Sequence, residues 1–230
     1  NAANPQTLHV AVVNIEGCIA YTTLTIRVLP NPTPSTDAED IELCDYDNPG
    51  DQIEVFDITI NEAYIINGEL GVSAAYYESL ENATDEIDPI ANPTTYSNIE
   101  LGQQTIYVRV TNDTTGCFTI VTFDIIVNPL PDIGDVPDVI ACEINTDGFF
   151  DFDLETVTSE LLGAQDPANF TVTYHETQED ADNGENALVS PYTNLTNPQQ
   201  LFVNITNNLT GCNITGVGSV SYTHLRAHET

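Results

Sequence analysis

The residue types here that could do chemistry are cysteine and carboxylate. Five cysteines, Cys18, Cys44, Cys117, Cys142 and Cys212, are spread along 230 residues. They form no CxxC and no Cys/His cluster, so the ligand spacing of a zinc site is missing. Acidic loops follow two of them. After Cys142, Glu143, Asn145, Asp147, Gly148 and Asp151 fall at offsets 1, 3, 5, 6 and 9. That is the oxygen-ligand spacing of a calcium loop, with glycine allowing the sharp turn. Leu154 stands at offset 12, where an EF-hand needs a bidentate acid. After Cys44 the series is Asp45, Asp47, Gly50 and Asp51, with Pro49 at offset 5 where a ligand should be. The missing ligands favour a solvated, Asx-rich turn over a metal site. No cofactor is therefore expected, with Ca2+ on these loops as the alternative.

Catalysis is hard to assemble. A nucleophile–base–orienter set needs a histidine near its partners. His9 and His175 fall in different modules, and His175 takes the repeat position of Tyr77, which reads as a strand surface residue. Acid pairs for glycoside hydrolysis are available in number, yet nothing marks one pair as special. The chain is read as having no enzymatic activity. Tyr76, Tyr77, Tyr107, Tyr174 and Tyr192 could stack on sugar rings or pack across strands. The first option makes a carbohydrate-binding accessory module the alternative function.

Net charge sharpens the exclusions. Thirty-six acids face three arginines and no lysine, a formal charge of −33. A nucleic-acid partner needs a basic footprint, and there is none. An anionic membrane surface would repel this chain, and no apolar run is long enough to span a bilayer. The acid is read as a solvated, self-repelling extracellular surface.

The elements that position these residues come from an internal repeat. Asn4-Pro-Gln-Thr-Leu-His-Val10 returns as Gly102-Gln-Gln-Thr-Ile-Tyr-Val108 and as Asn197-Pro-Gln-Gln-Leu-Phe-Val203. Each copy leads through a polar turn to Gly-Cys, at Cys18, Cys117 and Cys212, spaced by 99 and 95 residues. Cys44 and Cys142 are 98 apart, as are Tyr76-Tyr-Glu-Ser79 and Tyr174-His-Glu-Thr177. The expected layout is the C-terminal part of one repeat at 1–29, a complete repeat at 37–129 and a third, shortened repeat at 138–216. Pro-rich linkers at 29–34 and 128–137 act as semi-rigid spacers.

Inside a repeat the hydrophobic period is two. Ile106, Val108 and Val110 share one face of a half-buried strand, and a β-branched run from Phe118 to Val127 follows the turn as its hairpin partner. Further strands are expected near Ile53–Ile58, Val72–Glu78, Phe149–Asp153 and Phe170–Glu176. Short helical turns are expected at Leu154–Leu162 and Thr177–Asn183. About seven short strands per hundred residues predicts an all-β chain of tandem immunoglobulin-like sandwich modules. The register then predicts one disulfide per module, Cys44 with Cys117 and Cys142 with Cys212, with the partner of Cys18 outside the sequence. Such disulfides imply an oxidising, extracellular compartment.

Together these landmarks resemble a known repeat: Cys44 with its acidic loop, Tyr76-Tyr-Glu78, Gln104-Thr-Ile-Tyr-Val-Arg-Val110, Thr115-Gly-Cys117 and Val127-Asn-Pro-Leu-Pro131. It occurs in large surface proteins of flavobacteria and other Bacteroidetes that end in a gliding-motility-associated or type IX secretion sorting domain. The resemblance implies secretion to the bacterial cell surface and a stalk or adhesin role. The partners it implies are extracellular surfaces or polysaccharides and neighbouring repeats, and it carries over no catalytic residue. Residues 217–230 depart from the pattern, resemble a translated sequencing adapter, and are expected to be a non-native tail.

Overall fold

The computed structural model describes residues 4–134, 136, 138–143 and 149–224; for residues 142, 143, 217 and 219–224 it describes the backbone alone. The first elements are a hairpin, β1 (Gln6–Val13) and β2 (Ile19–Ile26), paired antiparallel over their whole length. The next repeat contributes β3 (Ile41–Cys44), β4 (Val55–Phe56), α1 (Glu62–Ile66), β5 (Val72–Tyr77), α2 (Leu80–Asp85), β6 (Tyr96–Ser97), β7 (Gln103–Asn112) and β8 (Phe118–Asn128). The last contributes β9 (Val139–Glu143), β10 (Asp151–Phe152), α3 (Thr158–Leu162), β11 (Phe170–His175), α4 (Gln178–Asn183), β12 (Tyr192–Thr193), β13 (Gln199–Asn207) and β14 (Asn213–His224). The chain is all-β and carries tandem sandwich modules.

The same plan occurs twice. A four-stranded sheet is ordered β3-β8-β7-β5 in one repeat and β9-β14-β13-β11 in the next. A two-stranded sheet accompanies each, β4-β6 and β10-β12. β5–β7, β4–β6, β11–β13, β13–β14 and β10–β12 pair antiparallel, and β9 runs parallel to β14, with Thr223 opposite Cys142 and His224 opposite Glu143. So β14 continues through residues 217–224, the start of the segment expected to be a tail, and residues 225–230 lie outside the described residues.

Two-residue periodicity explains the core. On β7, Ile106, Val108 and Val110 are at most 1% exposed. In the last repeat Phe152, Leu154, Leu161, Leu162, Tyr174, Leu201, Val203 and Ile205 form one cluster, drawing on both sheets and on α3. Burying such side chains stabilises each by about 1.5–3 kcal/mol relative to exposure. The expected helical turns form at Leu154–Leu162, as a 3-10 turn leading into α3, and at α4. Helices α1 and α2 fall where the sequence suggested none, and with them each module has six described strands. Ser79 and Thr177, which close the repeated Tyr-x-Glu-Ser/Thr landmark, are the N-caps of α2 and α4; their hydroxyl oxygens accept the Asn82 and Asp180 N–H groups at 3.1 Å.

The Gly-Cys landmark is a turn device. Asn112 Oδ1 accepts the N–H groups of Thr114 and Thr115, and Asn207 Oδ1 does the same for Leu209 and Thr210. Gly116 and Gly211 follow at φ +71° and +75°, left-handed positions that glycine occupies at little cost. Each turn thus delivers its cysteine to the first residue before a long strand.

The chain divides into two compact units. One holds residues 1–41, 55–98 and 103–125; the other holds residues 42–54, 99–102 and 126–230.

Candidate functional site

Within the second unit, Cys44 is bonded to Cys212, with 5.6 Å between their Cα atoms and a sequence separation of 168. This corrects both expected pairings, Cys44 with Cys117 and Cys142 with Cys212. The reason lies in strand geometry. Cys44 ends β3, and the next residue, Asp45, donates its N–H to the carbonyl of Asn128, the last residue of β8. Cys117 precedes Phe118, the first residue of that same strand. Eleven residues of strand at about 3.3 Å each put the two cysteines about 35 Å apart, whereas a disulfide needs Cα atoms within about 7 Å. The last repeat repeats the problem, because Cys142 pairs with Thr223 near the end of β14 while Cys212 precedes its start. Cysteines of one repeat lie at opposite ends of one strand, and only those of different repeats can meet. Cys18 and Cys117 are free thiols, the first exposed and the second part-buried.

Two polar arrangements recur in both modules. Arg109, only 6% exposed, donates to the carbonyls of Ala83 and Thr84 at 2.9 and 3.0 Å. It also lies 3.4 Å over the Phe118 ring and pairs with Glu86 at 3.3 Å. Asn204, its equivalent on β13, donates to the carbonyl of Ala181 at 2.6 Å. Both side chains fasten a short helix to the sheet by satisfying its final carbonyls, which have no partner within the helix. Gln104 donates to the Tyr96 hydroxyl, which donates to Glu78; Gln199, Tyr192 and Glu176 repeat this chain of bonds.

The tyrosines proposed as a sugar platform are mostly interior. Tyr76, Tyr77, Tyr174 and Tyr192 are buried, and Tyr107 is part-buried. Burial pushes all four buried phenols above the ordinary tyrosine range, and Glu62 beside Tyr76 adds to the effect there. His175 is likewise interior and not the surface residue expected, at 1% exposure. Its Nδ1 lies 2.7 Å from the Glu185 carbonyl and its Nε2 2.8 Å from Thr173 Oγ1. A carbonyl can only accept, so Nδ1 carries the proton. The Tyr-to-His exchange keeps a buried, hydrogen-bonded ring at this position. Sequence periodicity missed this burial because α2 and α4 cover the sheet face that alternation assigns to solvent.

The acidic loop after Cys44 turns its carboxylates on its own backbone. Glu54 Oε1 accepts the N–H groups of Tyr46 and Asp47 at 2.6 and 3.0 Å. Asp51 accepts from Ile53 N–H and from the Asn48 amide. Asp45 is 1% exposed, and its Oδ2 accepts from Gly50 N–H at 2.7 Å and Gln52 N–H at 3.3 Å. Its Oδ1 is buried with no hydrogen-bond partner. Among the described residues no three His, Cys, Asp or Glu are grouped to hold a metal, so Asp45, Asp47 and Asp51 do not converge. In the last repeat Asp151 is exposed at the start of β10, and Asn145 and Asp147 lie outside the described residues, as does the side chain of Glu143.

Comparison with known proteins bears on the disulfide. Residues 40–131 and 138–223 each match the Flavobacterium inter-domain disulphide bond domain. The chain belongs to that family. In this member the bond joins the first cysteine of one domain to the second cysteine of the next. No curated protein matches the chain. Among solved structures it is similar to zebrafish RET cadherin-like domains 1 to 4, at 8% identity and TM-score 0.24, covering 96% of this chain and 58% of that one. It is similar also to the cadherin domains 1–4 of protocadherin gamma B7, at 8% identity, TM-score 0.23 and the same coverages. A third is an endo-fucoidan hydrolase of glycoside hydrolase family 107, at 9% identity and TM-score 0.21, covering 98% of this chain and 34% of that one. The chain therefore spans little more than half the length of the first of these structures. Likeness at such TM-scores assigns no activity. Among the described residues no helix is long and apolar enough to cross a membrane.

Proposed function

We propose that this chain is a non-catalytic repeat region of a secreted bacterial cell-surface protein, acting as a stalk or adhesin scaffold. The observation that carries the reading is the Cys44–Cys212 bond between consecutive family domains. A bond of that kind forms in an oxidising compartment. Export by the type IX route, which the repeat's resemblance to gliding-motility-associated surface proteins implies, belongs to the same proposal.

The register extends naturally. If the first cysteine of each repeat meets the second cysteine of the next, Cys117 and Cys18 serve domains that precede theirs, and Cys142 serves one that follows. Every linker is then bridged by a covalent bond and carries no load alone. Pulling the chain by its ends tests this role. With the bond intact, the 168-residue span between Cys44 and Cys212 cannot extend. Reduction is expected to release about 550–600 Å of additional contour length. Equal extension before and after reduction would defeat the load-bearing reading, and turnover on a polysaccharide panel would defeat the non-catalytic one.

A further inference from the structure

We propose that the β1–β2 hairpin is a docking surface for the leading part of another domain of this family, the stretch equivalent to residues 37–101 or 138–196 of this chain. That stretch adds a strand to each edge of the hairpin and packs its short sheet and first helix on the hairpin's open apolar face.

The hairpin is built to the family pattern. Asn14 donates its N–H to the Cys18 carbonyl and Gly17 donates to the Asn14 carbonyl, both at 3.1 Å. Asn112 with Cys117 and Gly116, and Asn207 with Cys212 and Gly211, make the same two bonds at 2.8 or 2.9 Å. The apolar positions match as well. Leu8, Val10 and Val12 stand where β7 has Ile106, Val108 and Val110 and where β13 has Leu201, Val203 and Ile205. Leu24 and Ile26 extend that face across the ribbon, opposite Leu8 and Gln6. All five hairpin side chains are 37–59% exposed, whereas their counterparts on β7, β8 and β13 are buried. An open apolar face marks an interaction site, and a lone two-stranded ribbon is marginally stable in water.

The other copies show what covers it. In the last repeat Leu201, Val203 and Ile205 share one core with Phe152 of β10, Leu161 of α3, Tyr174 of β11 and Tyr192 of β12. All four come from the stretch that precedes β13 in its domain. The sheet order agrees, since β5 lies beside β7 and β3 beside β8. Hydrogen-bonding direction alternates along an antiparallel strand. Asn14 donates across the ribbon, so Val12, Val10 and Leu8 do too, and the His9 and Ala11 N–H groups face the outer edge. Their counterparts on β7, Tyr107 and Arg109, stand opposite Tyr77 and Ala75 of β5. Two hairpins pressed face to face would leave these edge groups bare, whereas the leading stretch of a family domain covers face and edges together. The proposal rests on reading residues 1–29 as the C-terminal part of a repeat and is independent of the stalk role.

The test joins a copy of residues 37–101, carrying Cys44→Ser, directly ahead of residue 4 in the full chain, and follows amide hydrogen exchange by NMR. In the repeat register Asn4 takes the place of Gly102, so the joint falls where a complete domain continues. A second extension uses residues 138–196 with Cys142→Ser, and decides the matter should the first fail to fold. There Asn4-Pro-Gln6 replaces the identical Asn197-Pro-Gln199. The His9 and Ala11 amides are expected to exchange at least about a hundredfold more slowly in the extended chain than in the 230-residue chain. Val10→Asp in the extended chain is expected to abolish that protection. Unchanged exchange in both extensions overturns the proposal. So does slowing confined to the Val10 amide, because the ribbon would then have stiffened without gaining a strand. Self-association of the 230-residue chain that Val10→Asp abolishes but the extension leaves intact assigns the face to a second copy, and overturns it too.

Discussion

Reducing or deleting the Cys44–Cys212 bond should destabilise the whole chain, whereas deleting Cys117 should not. The bond closes a span of 168 residues. In the chain-entropy treatment a loop of that length restricts the unfolded ensemble by about 5 kcal/mol at 25 °C. For a chain of this size each kcal/mol moves Tm by about 2–4 °C, so the loss should lie near 10–20 °C. Cys44→Ser and Cys212→Ser should show equal losses, since each removes the same bond. Cys117→Ser removes a thiol without a bond and should stay within about 0.5 kcal/mol of wild type. The assay is thermal melting by far-UV circular dichroism with and without a phosphine reductant. It is paired with peptide mapping under non-reducing conditions, using a protease that cuts after acids. A segment covering residues 37–131 holds only Cys44 and Cys117, about 35 Å apart along β8, and should melt at one temperature with or without reductant. A Cys44–Cys117 peptide in the map, or equal losses in Cys117→Ser and Cys44→Ser, would refute the strand-geometry argument.

Three further outcomes follow from the interior. Arg109→Ala should cost about 2–4 kcal/mol in urea unfolding, because it strips charged donors from the Ala83 and Thr84 carbonyls. A loss below about 0.5 kcal/mol would mean that α2 is held by other contacts. Alkaline titration followed by tyrosine absorbance should show a late-ionising set. The phenols of Tyr76, Tyr77, Tyr174 and Tyr192 are raised above the unfolded value. Their stabilising contribution is complete below about pH 10 and is lost as pH climbs toward their folded values, so they should ionise late and together with unfolding. Ionisation of these four near pH 10 with the fold intact would contradict their burial. On the acid side, Thr59 beside Asp57, and Thr177 and Asn186 beside Asp180, hold those carboxylates below the ordinary range. Their contribution is present above about pH 4 and lost as pH falls through the folded values. Thr177→Val should shift the acid unfolding midpoint upward, and an unchanged midpoint would remove Asp180 from the account.

Much of the fold was legible because it is local and repeated. The two-residue period of Ile106, Val108 and Val110 names a buried strand face, and the structure buries all three. Asn112 and Gly116 announce a turn through chemistry confined to five residues, and the hairpin is there. Leu154–Leu162 and Thr177–Asn183 become helical turns as their spacing suggested. Helices α1 and α2 went unread although they are no shorter than α3 and α4; the signal available for α2 was Ser79, which caps it as Thr177 caps α4. The burial of Arg109 and His175 also went unread: alternation places both on the solvent side, and a helix covers them.

By itself, the sequence determined the repeat, its period, its strand faces and the presence of two cysteines per unit. All of these are written in residue type and spacing over short stretches. Which cysteine meets which was decided by tertiary structure alone. Equal spacing is compatible with pairing inside a repeat or between repeats, and the choice depends on the length of β8 and on the strand end that β3 reaches. A rigid strand of eleven residues keeps Cys44 and Cys117 about 35 Å apart. No count of residues between two cysteines carries that distance, because it is set by the path of the chain through the sheet.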